Sequence, residues 1–288
     1  MDIGIIGCGN MGGAMARHLL EAGQRLVCYD PDPATRAAMS DAGAEIADSA
    51  AGLAARADVI VLSLPTAAIV RAVMAEIADQ LRPGATLLDS STSEPQTSRD
   101  LHAEGQAAGF HFIDGPVSGG PVAARAGTMT MLLGGDTAAI AAIRPLIDLL
   151  TAKSVHVGGA GAGHAAKIVN NMLCAANLVL VAEALRLGAA AGVEAGALLE
   201  GVNAGSGRSG VSEVNYPKWV LSAAFDSGFT MGLMRKDVGL ARDLAAGAGV
   251  DMPGFDAVAQ VWADSANALP DAEDFNRITE FQQTGASQ

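Results

Sequence analysis

The apolar run Ile3-Gly4-Ile5-Ile6 leads without a break into Gly7-Cys8-Gly9-Asn10-Met11-Gly12 and then into a helical pattern. Three glycines at that spacing, between a strand and a helix, constrain the backbone more than any other stretch of the chain. Gly7 permits a tight turn, Gly9 lets the main chain approach a bound group, and Gly12 lets the helix pack closely on the strand. The helix start offers unpaired amides and the positive end of a dipole, which together suit a phosphate. A glycine turn with no ligand would look similar in isolation. Asp30, at the end of the next strand, adds the second half of a dinucleotide fingerprint, because a carboxylate there accepts ribose hydroxyls and repels a 2′-phosphate. Pro31 and Asp32 follow it and the next arginine is Arg36, so the pattern favours NAD over NADP; a solvated turn aspartate is the plainer reading of Asp30.

Up to about residue 160 short apolar runs alternate with helical patterns, as parallel βαβ units do. Strands are expected at Ile3–Ile6, Arg25–Tyr29, Val59–Leu64, Thr86–Asp89, Phe110–Asp114 and Met129–Leu133, with helices such as Gly12–Ala22, Ala67–Gln80 and Pro95–Ala107 between them. Val59-Ile60-Val61-Leu62 is apolar throughout, which fits a sheet covered on both faces. After Gly158-Gly159-Ala160-Gly161 the character changes. One long helix is expected from Gly163 to about Ala191, followed by helices near Ala195–Ala204, Val211–Ala223, Met231–Ala246 and Gly254–Asn267. The tail from Gly285 to Gln288 is expected to fray. The expected fold class is therefore α/β: a Rossmann-type doubly wound sheet over residues 1–160, then an all-helical domain over 161–288 for substrate and oligomer contacts.

Composition excludes several classes. Half the residues are hydrophobic and 17% are charged, so the chain is globular. The net charge of −13 argues against nucleic acid and anionic membrane surfaces. The N-terminus has no basic flank or long apolar run of a secretory leader, and no apolar stretch of about 18 residues escapes interruption by charge or glycine, so a cytoplasmic protein is expected. Three cysteines without CxxC spacing and five scattered histidines indicate neither a disulfide framework nor a metal site. Of the 18 basic residues only Lys153, Lys167, Lys218 and Lys236 are lysine. An ammonium can lose its proton when desolvated and a guanidinium cannot, so Lys167 and Lys236 are candidates for chemistry.

Three segments carry that chemistry. Asp114-Gly115-Pro116-Val117-Ser118-Gly119-Gly120 reads as a loop after a strand, with exposed amides and a hydroxyl suited to a carboxylate, or simply as a glycine-rich turn. Lys167 and Asn171 lie one helical turn apart among Ala165, Ala166, Ile168, Val169, Met172 and Leu173, where burial would be costly without partners. A half-exposed helix edge would show the same pattern. Phe229 with Leu233-Met234-Arg235-Lys236-Asp237 forms the third, whose plain reading is a solvated charge pair.

Taken in order, GxGxMGxxMA at Gly7–Ala16, Ser63-Leu64-Pro65, Asp89-Ser90-Ser91-Thr92, the Pro116–Gly120 loop, Gly161–Asn171 and Lys236-Asp237 resemble the β-hydroxyacid dehydrogenase family across nearly the whole chain. The resemblance implies a homodimer or homotetramer that moves a hydride between NAD and a small anionic β-hydroxy acid or its semialdehyde. It implies Lys167 as general acid/base and Ser118, Gly119, Gly120 and Asn171 as substrate contacts. Gly7, Gly9, Asn10, Met11, Gly12, Asp30, Leu64, Pro65, Thr92, Phe229 and Lys236 would touch the cofactor. The sequence departs from the family's pattern at Pro121-Val122 and at His164, where glutamine is common. A desolvated Lys167 beside a positive nicotinamide is expected to have a lowered pKa. Alternatives are an NAD(P)H-dependent reductase of a semialdehyde or imine, although imine reductases usually lack the lysine, and a non-catalytic dinucleotide-binding protein. Arg208, within Gly205–Gly210, would suit a second anionic group on the substrate; the favoured reading leaves it solvated beside a serine-capped helix.

Overall fold

The computed structural model describes residues 1–285, with side chains through Phe281; residues 286–288 of the tail expected to fray lie outside them. The chain divides into two compact units, Met1–Lys167 and Ile168–Gln288.

The first unit opens with β1 (Ile3–Ile6), α1 (Asn10–Glu21), β2 (Leu26–Tyr29), α2 (Pro33–Asp41), β3 (Glu45–Ile46) and α3 (Ala50–Ala54). Next come β4 (Val59–Leu62), α4 (Ala67–Ile77), β5 (Thr86–Asp89), α5 (Pro95–Ala108) and β6 (His111–Asp114). Its last part is β7 (Val117–Ser118), α6 (Gly120–Ala126), β8 (Met129–Gly134), α7 (Thr137–Ala142), α8 (Arg144–Leu150), β9 (Thr151–Gly158) and the first turns of α9 (Ala162–Ala190). The strands run in the order β3-β2-β1-β4-β5-β6, all parallel, and continue into β8, which pairs antiparallel with β6 and β7 and parallel with β9. That order is the doubly wound one, with its switch point between β1 and β4.

The apolar strands serve two cores. Val59 and Val61 join Ile3, Ile5, Met15 and Leu19 on one face, while Ile60 and Leu62 join Ile6, Leu53, Met74 and Phe112 on the other. Period-two alternation within a continuously apolar strand is what a sheet with helices on both faces requires. Three strands went unanticipated: β9, β7 and the two-residue β3. Most side chains of β9 are exposed, so it is held by its ladder to β8 rather than by burial. Val117 and Ser118, expected in a loop, pair with Met131 and Thr130 as β7.

The second unit comprises the rest of α9, then α10 (Ala195–Ala204), a π-helical segment (Val211–Val220), α11 (Met231–Ala248), α12 (Pro253–Asp264) and α13 (Ile278–Gly285). The segment expected as an ordinary helix near Val211–Ala223 is wound wider, with Pro217 inside it, and ends at Val220, before a turn leading to Ala223, whose φ is +55°. Proline has no amide to donate, and wider winding is one way a helix accommodates the missing bond. Helix α9 is long and apolar enough, by length and composition, to cross a membrane. Its buried residues Ile168, Ala175, Leu178, Val179 and Ala182 instead join Tyr216, Met231, Met234, Trp262 and Ile278 in the core of this unit. A central helix of a helical bundle passes the same test.

Trp262 anchors that core, fully buried and with Nε1 donating to the Ala175 carbonyl at 3.3 Å. Trp262→Ala should cost about 3–5 kcal/mol, the usual scale for emptying a large aromatic site. Urea unfolding monitored by circular dichroism checks this.

Candidate active site

The glycine loop behaves as its spacing requires. Gly7 has φ +87°, and a Cβ there would lie 2.3 Å from the Ser63 carbonyl oxygen. A Cβ on Gly12 would lie 1.9 Å from the Gly7 oxygen, so the first turn of α1 rests directly on the strand end. A Cβ on Gly9 would meet nothing within 4 Å. Gly9 is also the N-cap of α1 and has no side chain to accept from the first-turn amides, which include those of Asn10, Met11 and Gly12. Open space facing free helix-end amides fits a pyrophosphate.

Asp30 is half-buried and its carboxylate is held from behind. Oδ2 accepts from the Cys8 amide at 2.8 Å and Oδ1 from the Asp32 amide at 2.9 Å. Asp30 is therefore both a turn residue, through the Asp32 amide, and tied into the glycine loop, through the Cys8 amide. Arg36, distant in the sequence reading, folds back so that Nη1 donates to the Asp30 and Pro31 carbonyls at 2.7 and 3.0 Å. A cleft of about 660 Å³ borders the loop between α1, α2 and α6; its wall includes Gly9, Asn10, Arg17 and Thr35 but neither Asp30 nor Lys167.

Leu64, Pro65 and Thr92 occupy the loops after β4 and β5. Ser91 ties these loops together, its Oγ accepting from the Leu64 amide at 2.9 Å and its amide donating to Asp89 Oδ1 at 3.0 Å. Asp89 is fully buried, and burial pushes its carboxyl above the ordinary carboxylate range while the neighbouring His164 opposes the shift.

Lys167 is 7% exposed, and Nζ donates to Ser118 Oγ at 2.8 Å. The half-exposed edge is therefore ruled out; the ammonium is buried and partnered. Gly119 and Gly120 follow Ser118 with φ of +123° and +66°, and α6 begins there with Pro121 in its first turn. The unusual Pro121 thus sits where proline is tolerated, because first-turn amides need no helical acceptor.

Asn171, one turn after Lys167 on α9, is 5% exposed. Its Nδ2 donates to Asp237 Oδ2 at 2.5 Å, and its Oδ1 accepts from Asn170 at 3.1 Å. An ionised carboxylate only accepts, so this contact fixes which way the carboxamide points. Asp237 is 1% exposed and lies 3.2 Å from Lys236 Nζ, so the pair expected to be solvated is half interior. Phe229 precedes the N-cap of α11 and packs edge-on against Phe275 with centroids 5.2 Å apart. Arg208 makes an exposed ion pair with Glu213 at 3.5 Å, while Ser209 accepts from the Ser212 amide at 3.1 Å.

Sequence reasoning gave no role to Asp89, Ser91, Asp114 or Asp237. Asp114 has no solvent exposure, and its two carboxylate oxygens accept from the amides of Gly161 at 2.8 Å and His164 at 2.9 Å, at the head of α9. Ser91 stood beside Thr92 and Asp237 beside Lys236, residues already singled out, but nothing in their spacing showed the bonds they make.

Comparison with known proteins agrees with this geometry. Residues 2–159 match the NAD binding domain of 6-phosphogluconate dehydrogenase, and residues 161–281 match the domain described as NAD-binding of NADP-dependent 3-hydroxyisobutyrate dehydrogenase. The chain belongs to the β-hydroxyacid dehydrogenase family. It is 34% identical over 292 residues to 2-(hydroxymethyl)glutarate dehydrogenase of Eubacterium barkeri, covering 100% of this chain and 97% of that one. Human mitochondrial 3-hydroxyisobutyrate dehydrogenase is 39% identical over 254 residues, covering 84% of this chain and 75% of the relative. The solved structure of Mycobacterium tuberculosis 3-hydroxyisobutyrate dehydrogenase with L-serine superposes with a TM-score of 0.92 at 32% identity, covering 98% and 99% of the two chains. This member is accordingly an NAD(P)-dependent oxidoreductase acting on the alcohol group of hydroxy acids.

The glycine loop yields a paired expectation. Gly12→Ala should cost about 1–3 kcal/mol or more through overpacking. Gly9→Ala should leave the melting temperature almost unchanged and raise the KM for the dinucleotide on the order of tenfold, by blocking the approach of the phosphates. Thermal melts and cofactor titrations of the two variants distinguish these effects.

Proposed function

We propose that this dehydrogenase oxidises a small β-hydroxy acid of the 3-hydroxyisobutyrate type, with Lys167 as general acid/base and NAD as the preferred cofactor. The observation that carries the reading is the buried Lys167–Ser118 pair, 2.8 Å apart, on a helix whose next turn carries Asn171. In this reading residues 1–160 bind the nucleotide, and residues 161–288 serve substrate and oligomer contacts. The enzyme works in the cytoplasm, and the family resemblance implies a homodimer or homotetramer.

When bound, the nicotinamide supplies the hydride acceptor. The protein's task is to orient the alcohol and take its proton. Lys167 in its neutral form accepts that proton, and in the reverse direction it returns one to the carbonyl oxygen. Ser118 holds Nζ on one side and offers its hydroxyl to the substrate. The amides of Gly119 and Gly120 receive the carboxylate, and Asn171 binds a second substrate oxygen in the orientation that Asp237 imposes. Gly7, Gly9, Asn10, Met11 and Gly12 hold the pyrophosphate; Asp30 holds the ribose; Leu64, Pro65, Thr92, Phe229 and Lys236 complete the cofactor contacts.

Lys167→Ala should lower kcat by about 10²–10⁴-fold, the scale of a lost general acid/base, with little change in NAD affinity. Lys167→Arg should fail similarly, since a guanidinium keeps its proton at working pH. Near-normal turnover in either variant, measured as NADH formation from 3-hydroxyisobutyrate, would remove Lys167 from the mechanism. With wild-type enzyme, kcat/KM for NAD should exceed that for NADP, and Asp30→Asn should narrow the gap by relieving repulsion of the 2′-phosphate. A higher value for NADP in the wild type contradicts the assignment of Asp30.

A further inference from the structure

One turn before Lys167, α9 carries a histidine with no solvent exposure. His164 Nδ1 lies 2.7 Å from Ser98 Oγ on α5, and Nε2 lies 3.0 Å from the Ser91 carbonyl oxygen. A carbonyl only accepts, so Nε2 carries the proton of that bond, and Nδ1 pairs with the Ser98 hydroxyl. The Asp89 carboxylate stands 3.9 Å from Nε2, its Oδ2 buried with no hydrogen-bond partner. The main chain of His164 is fixed independently, since its amide donates to Asp114 Oδ2. Through Ser91, whose hydroxyl receives the Leu64 amide, the ring is linked to both loops assigned above to the cofactor. The acid/base chemistry makes no use of an imidazole at this point, and burying so polar a ring is costly unless its bonds matter.

We propose that His164 is a positioning residue for Lys167. Its two ring bonds set the first turn of α9 against α5 and Ser91, and so hold the lysine in register with Ser118 and with the cofactor loops. The proposal rests on Lys167 being the acid/base. His164 touches no reacting atom and passes no proton to the substrate. Displacing a catalytic group by about 1 Å can cost on the order of 10²-fold in rate, so loss of the ring bonds should appear in kcat.

Glutamine supplies one donor and one acceptor at similar reach and does not titrate; leucine keeps most of the volume and loses both bonds. The experiment compares His164→Gln, His164→Leu, Ser98→Ala and Lys167→Ala, with kcat expressed per folded molecule and the pH profile of kcat/KM recorded for each. His164→Leu should lower kcat at least about tenfold, change the KM for NAD less than about threefold, and displace the pH limb that reports the Lys167 proton. His164→Gln should restore kcat to within about threefold with the wild-type limb, and Ser98→Ala should fall between the two. A merely structural role would lower the melting temperature and the folded yield and leave kcat per folded molecule and the limb unmoved.

Wild-type kcat and limb in both His164→Leu and Ser98→Ala overturn the proposal, as does His164→Gln behaving as badly as His164→Leu. Should His164→Leu not fold, wild-type kcat and limb in Ser98→Ala overturn it by themselves. An inactive Lys167→Ala beside an unimpaired His164→Leu refutes this proposal alone. An active Lys167→Ala refutes the acid/base assignment and the proposal with it.

Discussion

The position of the lysine depends on one buried carboxylate. Asp114 sits at the end of β6, where strand pairing to β5 fixes its height, and both of its oxygens receive amides from the head of α9. A carboxylate without solvent is tolerable only when hydrogen bonds and a favourable dipole offset its desolvation, and a helix N-terminus provides both. Further along the same segment, Ser118 meets Lys167. One stretch of chain therefore clamps the helix at its start and also at the side chain one turn into it. Two glycines make the clamp possible. A Cβ on Gly163 would lie 2.4 Å from the Leu132 oxygen, and one on Gly134 would lie 2.6 Å from the Gly163 amide nitrogen. The sheet of the first unit thereby becomes the reference from which the lysine is placed.

Asp237 plays a comparable part within the second unit, where it dictates the direction of the Asn171 carboxamide. In both cases an acidic residue that would be expensive alone is used to orient a neighbour. This gives the strongly negative composition a second meaning. Net charge says which macromolecules the surface repels; the few carboxylates withdrawn from that surface decide how the polar groups of the interior point.

The glycine loop, the parallel strands and the long helix were legible because their causes are local. Strand, turn and helix spacing lie within a few dozen residues, and apolar runs report burial directly. The partners of Lys167 and Asn171 were not legible, since each lies far away in sequence and an aspartate in a strand or a helix looks the same whether it is exposed or interior. The expected loop at Asp114–Gly120 failed at Val117 and Ser118 because two residues suffice for a ladder but not for a pattern. Arg36 shows what spacing leaves out: the helical turn after Asp30 brings its guanidinium back onto the Asp30 backbone.

Strand β9 marks the limit of what residue identity can report. Its ladder to β8 uses main-chain groups, and its side chains face mostly outward. At Ala152, Lys153, Val155 and Val157 the fold asks little more than a backbone amide, whereas Thr151, Ser154 and His156 bond through their side chains, so the letters at the outward positions are free to drift. Relatives could share this strand in space while sharing little of it in text.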